Sequence, residues 1–265
     1  MGDQIEQLGV QSQDLAGESI LITGASSGLG AHFAKCLGMR GANVALAARS
    51  GARLAKLEGE LSALGIRACC VEMNVTNAKS VTDGFRAVQK EIGPLTGTVA
   101  NAGVNIEGSV LQLSEAEIAM LLSVNVQGAL LTARESARQM IENLSSRPHN
   151  GKIVLVSSIT ANQVSKGIAL YSASKAAVQQ LGRCLAADWS RKEINVNVVC
   201  PGYIETPLNR DWFKTSRGQM HVNSWPRRQL MAAEDLDGIM CYLMSPASDK
   251  TTGGVFTVDD GQSLA

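Results

Sequence analysis

Several kinds of residue are scarce in this chain. Of 265 residues only ten are aromatic, six are proline and three are histidine. The histidines, at 32, 149 and 221, show no ligand spacing, and the six cysteines (36, 69, 70, 184, 200, 241) form no C-x-x-C pair. Neither a catalytic metal nor a disulfide framework is therefore expected. Each cysteine sits in an apolar run and reads as a buried free thiol of a reducing cytosol. Neither sign of charge is in excess, with 24 basic against 24 acidic residues. This balance speaks against a general nucleic-acid or anionic-membrane binder. Uninterrupted apolar runs of roughly eighteen residues are missing too, so no membrane span is expected. Residues 1–17 carry acidic groups but no Arg or Lys, unlike a secretory or transit peptide. Glu6 stands where a myristoylation motif needs Ser or Thr, and Ser263-Leu264-Ala265 is not the peroxisomal tripeptide. A cytoplasmic protein is expected, with a polar lead-in over 1–16 and one domain over 17–265.

What is present is alternation. Short, near-continuously apolar runs at Ser19–Thr23, Asn43–Ala47, Ile66–Val71, Leu95–Ala100, Lys152–Ser157, Ile194–Cys200 and Gly254–Val258 have the length of buried strands. Between them lie stretches of helical period. One closes at Gly65; others open at Asn77 and at the capping box Ser114-Glu115-Ala116-Glu117. Strand and helix alternating in this way imply an α/β fold: a single doubly wound, Rossmann-like domain with a seven-stranded parallel sheet and helices on both faces.

The first strand breaks into Gly24-Ala25-Ser26-Ser27-Gly28-Leu29-Gly30 before the first helix. Glycines there permit a tight turn and close approach of a pyrophosphate to free N–H groups at the helix N-terminus. After the second strand, an acidic residue would bind the ribose 2′-hydroxyl of NAD; the chain has Ala47-Ala48-Arg49-Ser50 instead. A guanidinium in that place favours the 2′-phosphate of NADP(H) by charge and bidentate geometry. NAD(H) stays open if Arg49 faces solvent. Tyr171 and Lys175, four apart, share one face of a helix, where an ammonium would lower the pKa of the phenol.

Taken together these pieces resemble the short-chain dehydrogenase/reductase family in its short, oxidoreductase form. The matching motifs are Thr23 to Gly30, Asn101-Ala102-Gly103, Asn125, Ser158, Tyr171-x-x-x-Lys175 and Pro201-Gly202, in the family's order. The resemblance implies that Tyr171 exchanges a proton with a carbinol or carbonyl oxygen and that Ser158 holds that oxygen. It implies that Lys175 lowers the Tyr171 pKa and binds the nicotinamide ribose, and that Asn125 anchors a water relay from Lys175. Cofactor contacts are implied for Gly24, Ser26, Ser27, Gly28, Leu29, Gly30, Arg49, Ser50, Asn74, Val75, Asn101, Ala102, Gly103, Tyr171, Lys175, Pro201, Gly202, Ile204 and Thr206. Two positions depart from the family pattern: Ala100 replaces an amide that the family often has, and Asn74 replaces an acid.

Residues 203–231 show no clean period and read as a lid. They hold Tyr203, Trp212, Phe213 and Trp225, four of the ten aromatics, and an excess of positive charge. An apolar wall over the site and an acidic substrate, such as a 3-oxoacyl thioester, would suit that composition; sugars, polyols and small ketones are other candidates. The expected partner is a small carbonyl or alcohol, with no nucleic acid and no membrane. The resemblance implies a homo-oligomer, a tetramer or dimer, formed through the long helices and the last strand. The alternative is a nucleotide-sensing regulator without turnover.

Overall fold

A computed structural model describes residues 13–147, 149–205 and 210–264; Thr206 lies outside the described residues. Seven strands form one sheet, all parallel where they pair: β1 (Ser19–Thr23), β2 (Asn43–Ala48), β3 (Ala68–Glu72), β4 (Gly97–Ala100), β5 (Gly151–Val156), β6 (Ile194–Pro201) and β7 (Val255–Val258). Their order is β3-β2-β1-β4-β5-β6-β7. Strands β1, β4, β5 and β6 are buried along their whole length, as apolar runs covered on both faces must be.

Nine α-helices are described: α1 (Gly28–Met39), α2 (Gly51–Ala63), α3 (Ala78–Ile92), α4 (Glu115–Leu122), α5 (Gly128–Glu142), α6 (Ala169–Trp189), α7 (Arg210–Lys214), α8 (Ser216–Ser224) and α9 (Asp237–Met244). Phe33 and Leu37 of α1 and Met240 and Leu243 of α9 build the core on one face with Ile20, Ile22, Val154 and Val199. On the other face, Ala133, Ala137 and Met140 of α5 and Val178 and Leu185 of α6 meet Ile153, Leu155, Val196 and Val198. Val81, Phe85 and Val88 of α3 join Leu21 and Ala45. The strand order reverses between β1 and β4, and this opens a crevice at the carboxyl ends of the strands, the position where such sheets bind ligands.

Some expectations change. Residues 203–231 are not irregular throughout, because α7 and α8 lie within them. They are short and lean on an aromatic cluster of their own, so no long apolar period marks them. The helix predicted from Ser114 onward is interrupted by a π-helical segment, Ser123–Gln127, between α4 and α5. The continuous stretch Glu115–Glu142 has the length and apolarity of a membrane span, with a mean hydropathy of 1.4 in its most apolar window. Ala129, Ala133, Ala137 and Met140 within it are core residues, and 39% of that window is buried. All six cysteines are free, but only Cys200 and Cys241 are buried, and Cys184 is exposed.

Candidate active site

Two helix N-termini belong to elements that open the crevice, and neither is satisfied from within. Ser27 and Ser50 occupy the N-cap positions of α1 and α2, yet neither side chain caps, and no acid lies in either first turn. Elsewhere, Asn77 caps α3 and a Ser114–Glu117 capping box closes α4. Uncapped N–H groups and the positive end of a helix dipole suit an anionic group. A cavity of about 540 Å³ lies there, lined by Gly24, Ser26, Ser27, Ala47, Ala48, Arg49, Ser50, Arg53, Met73, Asn74, Val75, Ala102, Gly103, Val104 and Val124. Nine of the predicted cofactor residues are among them.

The loop beneath the cavity is held by close contacts. A Cβ on Gly30 would lie 2.3 Å from the Gly24 carbonyl oxygen and 2.7 Å from Asn101 Nδ2, so only glycine fits. Asn101 Nδ2 donates to the Thr23 carbonyl (3.0 Å), while the Thr23 hydroxyl accepts from the N–H groups of Asn101 and Ala102, both at 3.1 Å. The Asn101 amide is thus engaged with β1 and clasps the phosphate loop to the end of β4. Leu29 turns its side chain into the core, which leaves only its backbone for a ligand. Asn74 Oδ1 accepts from Thr76 N and Thr76 Oγ1. Arg49 and Arg53 are exposed at the cavity, and no hydrogen bond or ion pair ties either to another described residue.

The predicted catalytic residues converge. Ser158 ends the turn after β5, and its hydroxyl accepts from Thr160 N (3.2 Å) and Thr160 Oγ1 (3.0 Å). Its hydroxyl also stands near enough to the Tyr171 phenol of α6 to favour its ionised form. Burial pushes the Tyr171 phenol up, the Ser158 hydroxyl pulls it back, and the nearby Tyr203 adds a smaller upward push. Lys175 lies over this ring. Its Nζ sits 5.6 Å from the centre of the Tyr171 ring and donates to the Val156 carbonyl at 2.9 Å. Burial brings Lys175 itself down to about 8.

Asn125 lies in the π-helical segment, a feature frequent at functional sites. Buried there, its Oδ1 accepts from Val104 N (2.8 Å), and its Nδ2 donates to Val104 O (2.9 Å) and Ser174 Oγ (3.0 Å). Gly103 joins this residue to the lysine: a Cβ there would lie 3.4 Å from Lys175 Nζ and 3.5 Å from Asn125 Oδ1. A small polar group at that point reaches both.

Several contributors were not singled out in the sequence. Ser157, indistinguishable from Ser158 by type, donates to the Lys175 carbonyl at 2.8 Å and fixes α6 against β5. Ser174 bridges Asn125 and the Tyr171 carbonyl. Gln262, buried after β7, accepts from Tyr203 N (2.6 Å) and donates to the carbonyls of Tyr203 and Gln229 (both 3.3 Å), pinning both ends of the lid. Ile204 bridges Met231 at the base of the lid. The lid aromatics do not form an open wall. Phe213 and Trp225 are buried with Val222, and Tyr203 stacks on Trp225 at 5.2 Å. Three of the lid's cations are paired: Arg210 with Glu205, Lys214 with Asp211 and Arg227 with Asp260.

A parallel sheet with a glycine loop at its switch point, and a Ser-Tyr-Lys group beside it, defines a nucleotide-dependent oxidoreductase acting on carbonyl or alcohol groups. The comparisons with known proteins agree. The short chain dehydrogenase model matches residues 18–217, and the chain belongs to that family. Gluconate 5-dehydrogenase of Gluconobacter oxydans is 31% identical over 262 residues, covering 95% of this chain and 96% of the relative. The 5-keto-D-gluconate 5-reductase of Escherichia coli is 29% identical over 256 residues, covering 95% and 97%. A gluconate 5-dehydrogenase from Burkholderia cenocepacia, solved in complex with NADP and tartrate, superposes with a TM-score of 0.89 at 28% identity, covering 96% and 98%.

Proposed function

We propose that the enzyme interconverts a ketone and a secondary alcohol with NADP(H), using Tyr171 as general acid and base. The observation that carries this reading is the convergence of Ser158 and buried Lys175 on Tyr171, with Lys175 Nζ 5.6 Å from the ring centre. The residues present fit a dinucleotide: uncapped helix N-termini and the Gly24–Gly30 cradle for its phosphates, Arg49 and Arg53 for a 2′-phosphate, and Gly103, Lys175 and Ile204 toward the nicotinamide end. The nicotinamide, when bound, supplies or accepts the hydride. Ser158 orients the substrate oxygen and Tyr171 gives it the proton. Lys175, Gly103 and Asn125 mark the route by which the proton is replaced. Tyr171→Phe should lower turnover by about 10²-fold or more while NADPH still binds. Turnover near the native rate in that variant would return the protein to the regulator class.

The substrate class we propose is a small hydroxylated carboxylate of the sugar-acid type. The two gluconate-metabolising relatives support it, as do Arg217 and Arg228, the lid cations without an ion-pair partner among the described residues. A panel of keto-sugar acids, neutral polyols and 3-oxoacyl thioesters, each assayed with NADPH and NADH, tests substrate and cofactor together. Preference for NADH would remove the role given to Arg49. The residues 203–231 act in this reading as the substrate lid, pinned by Gln262. The protein is further proposed to be a homo-oligomer of the cytoplasm, in keeping with its six free thiols.

A further inference from the structure

Helices α1 and α9 run side by side, and their side chains meet at matching four-residue steps. His32 Nε2 lies 2.6 Å from Asp237 Oδ1; one turn further on each helix, Cys36 Sγ lies 3.5 Å from Cys241 Sγ. We propose that Cys36 and Cys241 are a redox-active dithiol, which a hydroperoxide converts to a disulfide and a dithiol reductant restores. The two sulfurs are in hydrogen-bond contact, and closing to a bond of about 2.05 Å asks for a small approach of two helices already packed together. Cys36 is half-exposed and forms the port to the pair; Cys241 is buried behind it.

The surroundings divide the roles. The contact between the two sulfurs favours one thiolate of the pair; on the Cys241 side the Arg40 guanidinium, one turn beyond Cys36, helps, while burial, Asp14 and Asp237 oppose it. The same contact, burial, and the charges of Cys241 and Asp237 push the Cys36 thiol up. The proposed step takes the Cys241 thiolate, the side next to the Arg40 charge, as the nucleophile, with peroxide reaching it past Cys36. It attacks a peroxide oxygen: an S–O bond forms, the O–O bond breaks, and the departing hydroxide takes the Cys36 proton to give water. The Cys36 thiolate then attacks the sulfenic sulfur: the S–S bond forms, the S–O bond breaks, and the second hydroxide leaves and takes a solvent proton. Two thiols are oxidised and one peroxide is reduced to two waters.

The remaining cysteines lack this arrangement. Burial and Glu58 push Cys70 up to about 12, and burial pushes Cys69 up to about 11. Cys200 is buried and accepts from Gln179 at 3.1 Å. Cys184 is exposed on α6, with Gln180 as its hydrogen-bond neighbour at 3.7 Å. A Cys36–Cys241 bridge would tie the helix that opens at the phosphate loop to α9, across a sequence separation of 205 residues.

The test titrates the full-length protein with hydrogen peroxide, alkylates the remaining thiols and maps the peptides by mass. The expected result is a Cys36–Cys241 cross-linked peptide, loss of two of the six titratable thiols, and full reversal by dithiothreitol. Cys36→Ser should abolish the cross-link and slow peroxide oxidation of Cys241 by about tenfold or more, with NADPH-linked turnover retained. Because Cys241 is buried, Cys241→Ala serves as the second variant; it too should lose the cross-link. The proposal is overturned if Cys184 oxidises first while the pair stays reduced. It is equally overturned if Cys36 and Cys241 proceed separately to sulfinic acid, at rates unchanged by Cys36→Ser.

Discussion

Burial decides what the proposed catalytic side chains can do one at a time. Lys175 titrates at about 8 in the folded protein, down from 10.5, because its ammonium is out of water. The unfolded chain therefore binds more protons between pH 8 and 10.5, and the stability contributed by this group rises with pH across that window and is lowest below it. The penalty below it is about 3 kcal/mol. Lys175→Met removes that penalty and leaves the Val156 carbonyl one partner short, a loss of about 1 kcal/mol. The variant should be more stable than the native protein at pH 7 by about 2 kcal/mol, catalytically silent, and no more stable at pH 10.5. Urea unfolding at the two pH values checks this; an equal gap at both would contradict it. Ser158 acts in the opposite sense, pulling the Tyr171 phenol down. Alcohol oxidation needs the phenolate and so rises with pH. In Ser158→Ala that rising limb should move to higher pH in a kcat–pH profile, and a limb left in place would show that Ser158 does not tune the base. The spacing of Tyr171 and Lys175 told that they share a helix face, but not that the lysine would turn to a strand carbonyl. Nor could residue type separate Ser157 from Ser158, since the difference is which side of the strand end each hydroxyl leaves.

At the scale of elements, the sheet was legible because buried parallel strands are apolar throughout, and every strand predicted is present within a few residues. The phosphate loop was legible for the same kind of reason: glycine is written into it wherever backbone must approach backbone. Gly30→Ala puts a methyl against the Gly24 carbonyl and the Asn101 amide, so it should open the Thr23–Asn101 clasp and weaken NADPH binding by about tenfold or more. Gly28 is different: its φ of +55° strains any other residue, but beyond its chain neighbours and its own helix backbone no heavy atom lies within 4 Å of a Cβ there. Gly28→Ala should therefore lower stability by about 1 kcal/mol and disturb binding less than Gly30→Ala. Titration calorimetry with NADPH, beside thermal unfolding, separates the two cases, and the reverse ranking would mean that the loop tolerates a Cβ at Gly30. The π-helical segment was not legible. One inserted residue leaves the hydrophobic pattern nearly intact, and its reason is long-range: it sets Asn125 against Val104 and Ser174. The lid helices were missed because their apolar partners are aromatic residues of the lid itself, clustered around Phe213 and Trp225 without a helical period.

The whole molecule leaves apolar surface where one chain alone has no use for it. Leu130 (38% exposed) and Ile141 (39%) lie on α5 three helical turns apart, and so share a face. Met120 (44%) and Leu122 (39%) are exposed on α4, and Leu264 (82%) stands out near the end of the chain. Ala133, Ala137 and Met140 supply the core from the adjoining part of the same apolar stripe, so Leu130 and Ile141 form an edge of that stripe left in solvent. An amphipathic helix packed on a sheet needs apolar residues on one side only. An apolar edge left in solvent is where the proposed homo-oligomer would make its contact, a symmetric contact being the commonest arrangement. Sedimentation of the native protein should give a mass at least twice that of the 27.9 kDa chain. The double substitution Leu130→Arg with Ile141→Arg places two charges on that face without touching the core, the cavity or the Ser158–Tyr171 pair. It should lower the mass to a smaller species while the far-ultraviolet dichroism stays native. An unchanged mass would move the contact away from α5, to another exposed apolar segment such as that around Leu264. Activity in the dissociated species then distinguishes a site complete within one chain from one that depends on the assembly. Asn125 and Ser174, from the π-helical segment beside α5 and from α6, join directly beneath Tyr171. Loosening the packed helices should therefore raise KM and lower kcat together, rather than affect cofactor binding alone.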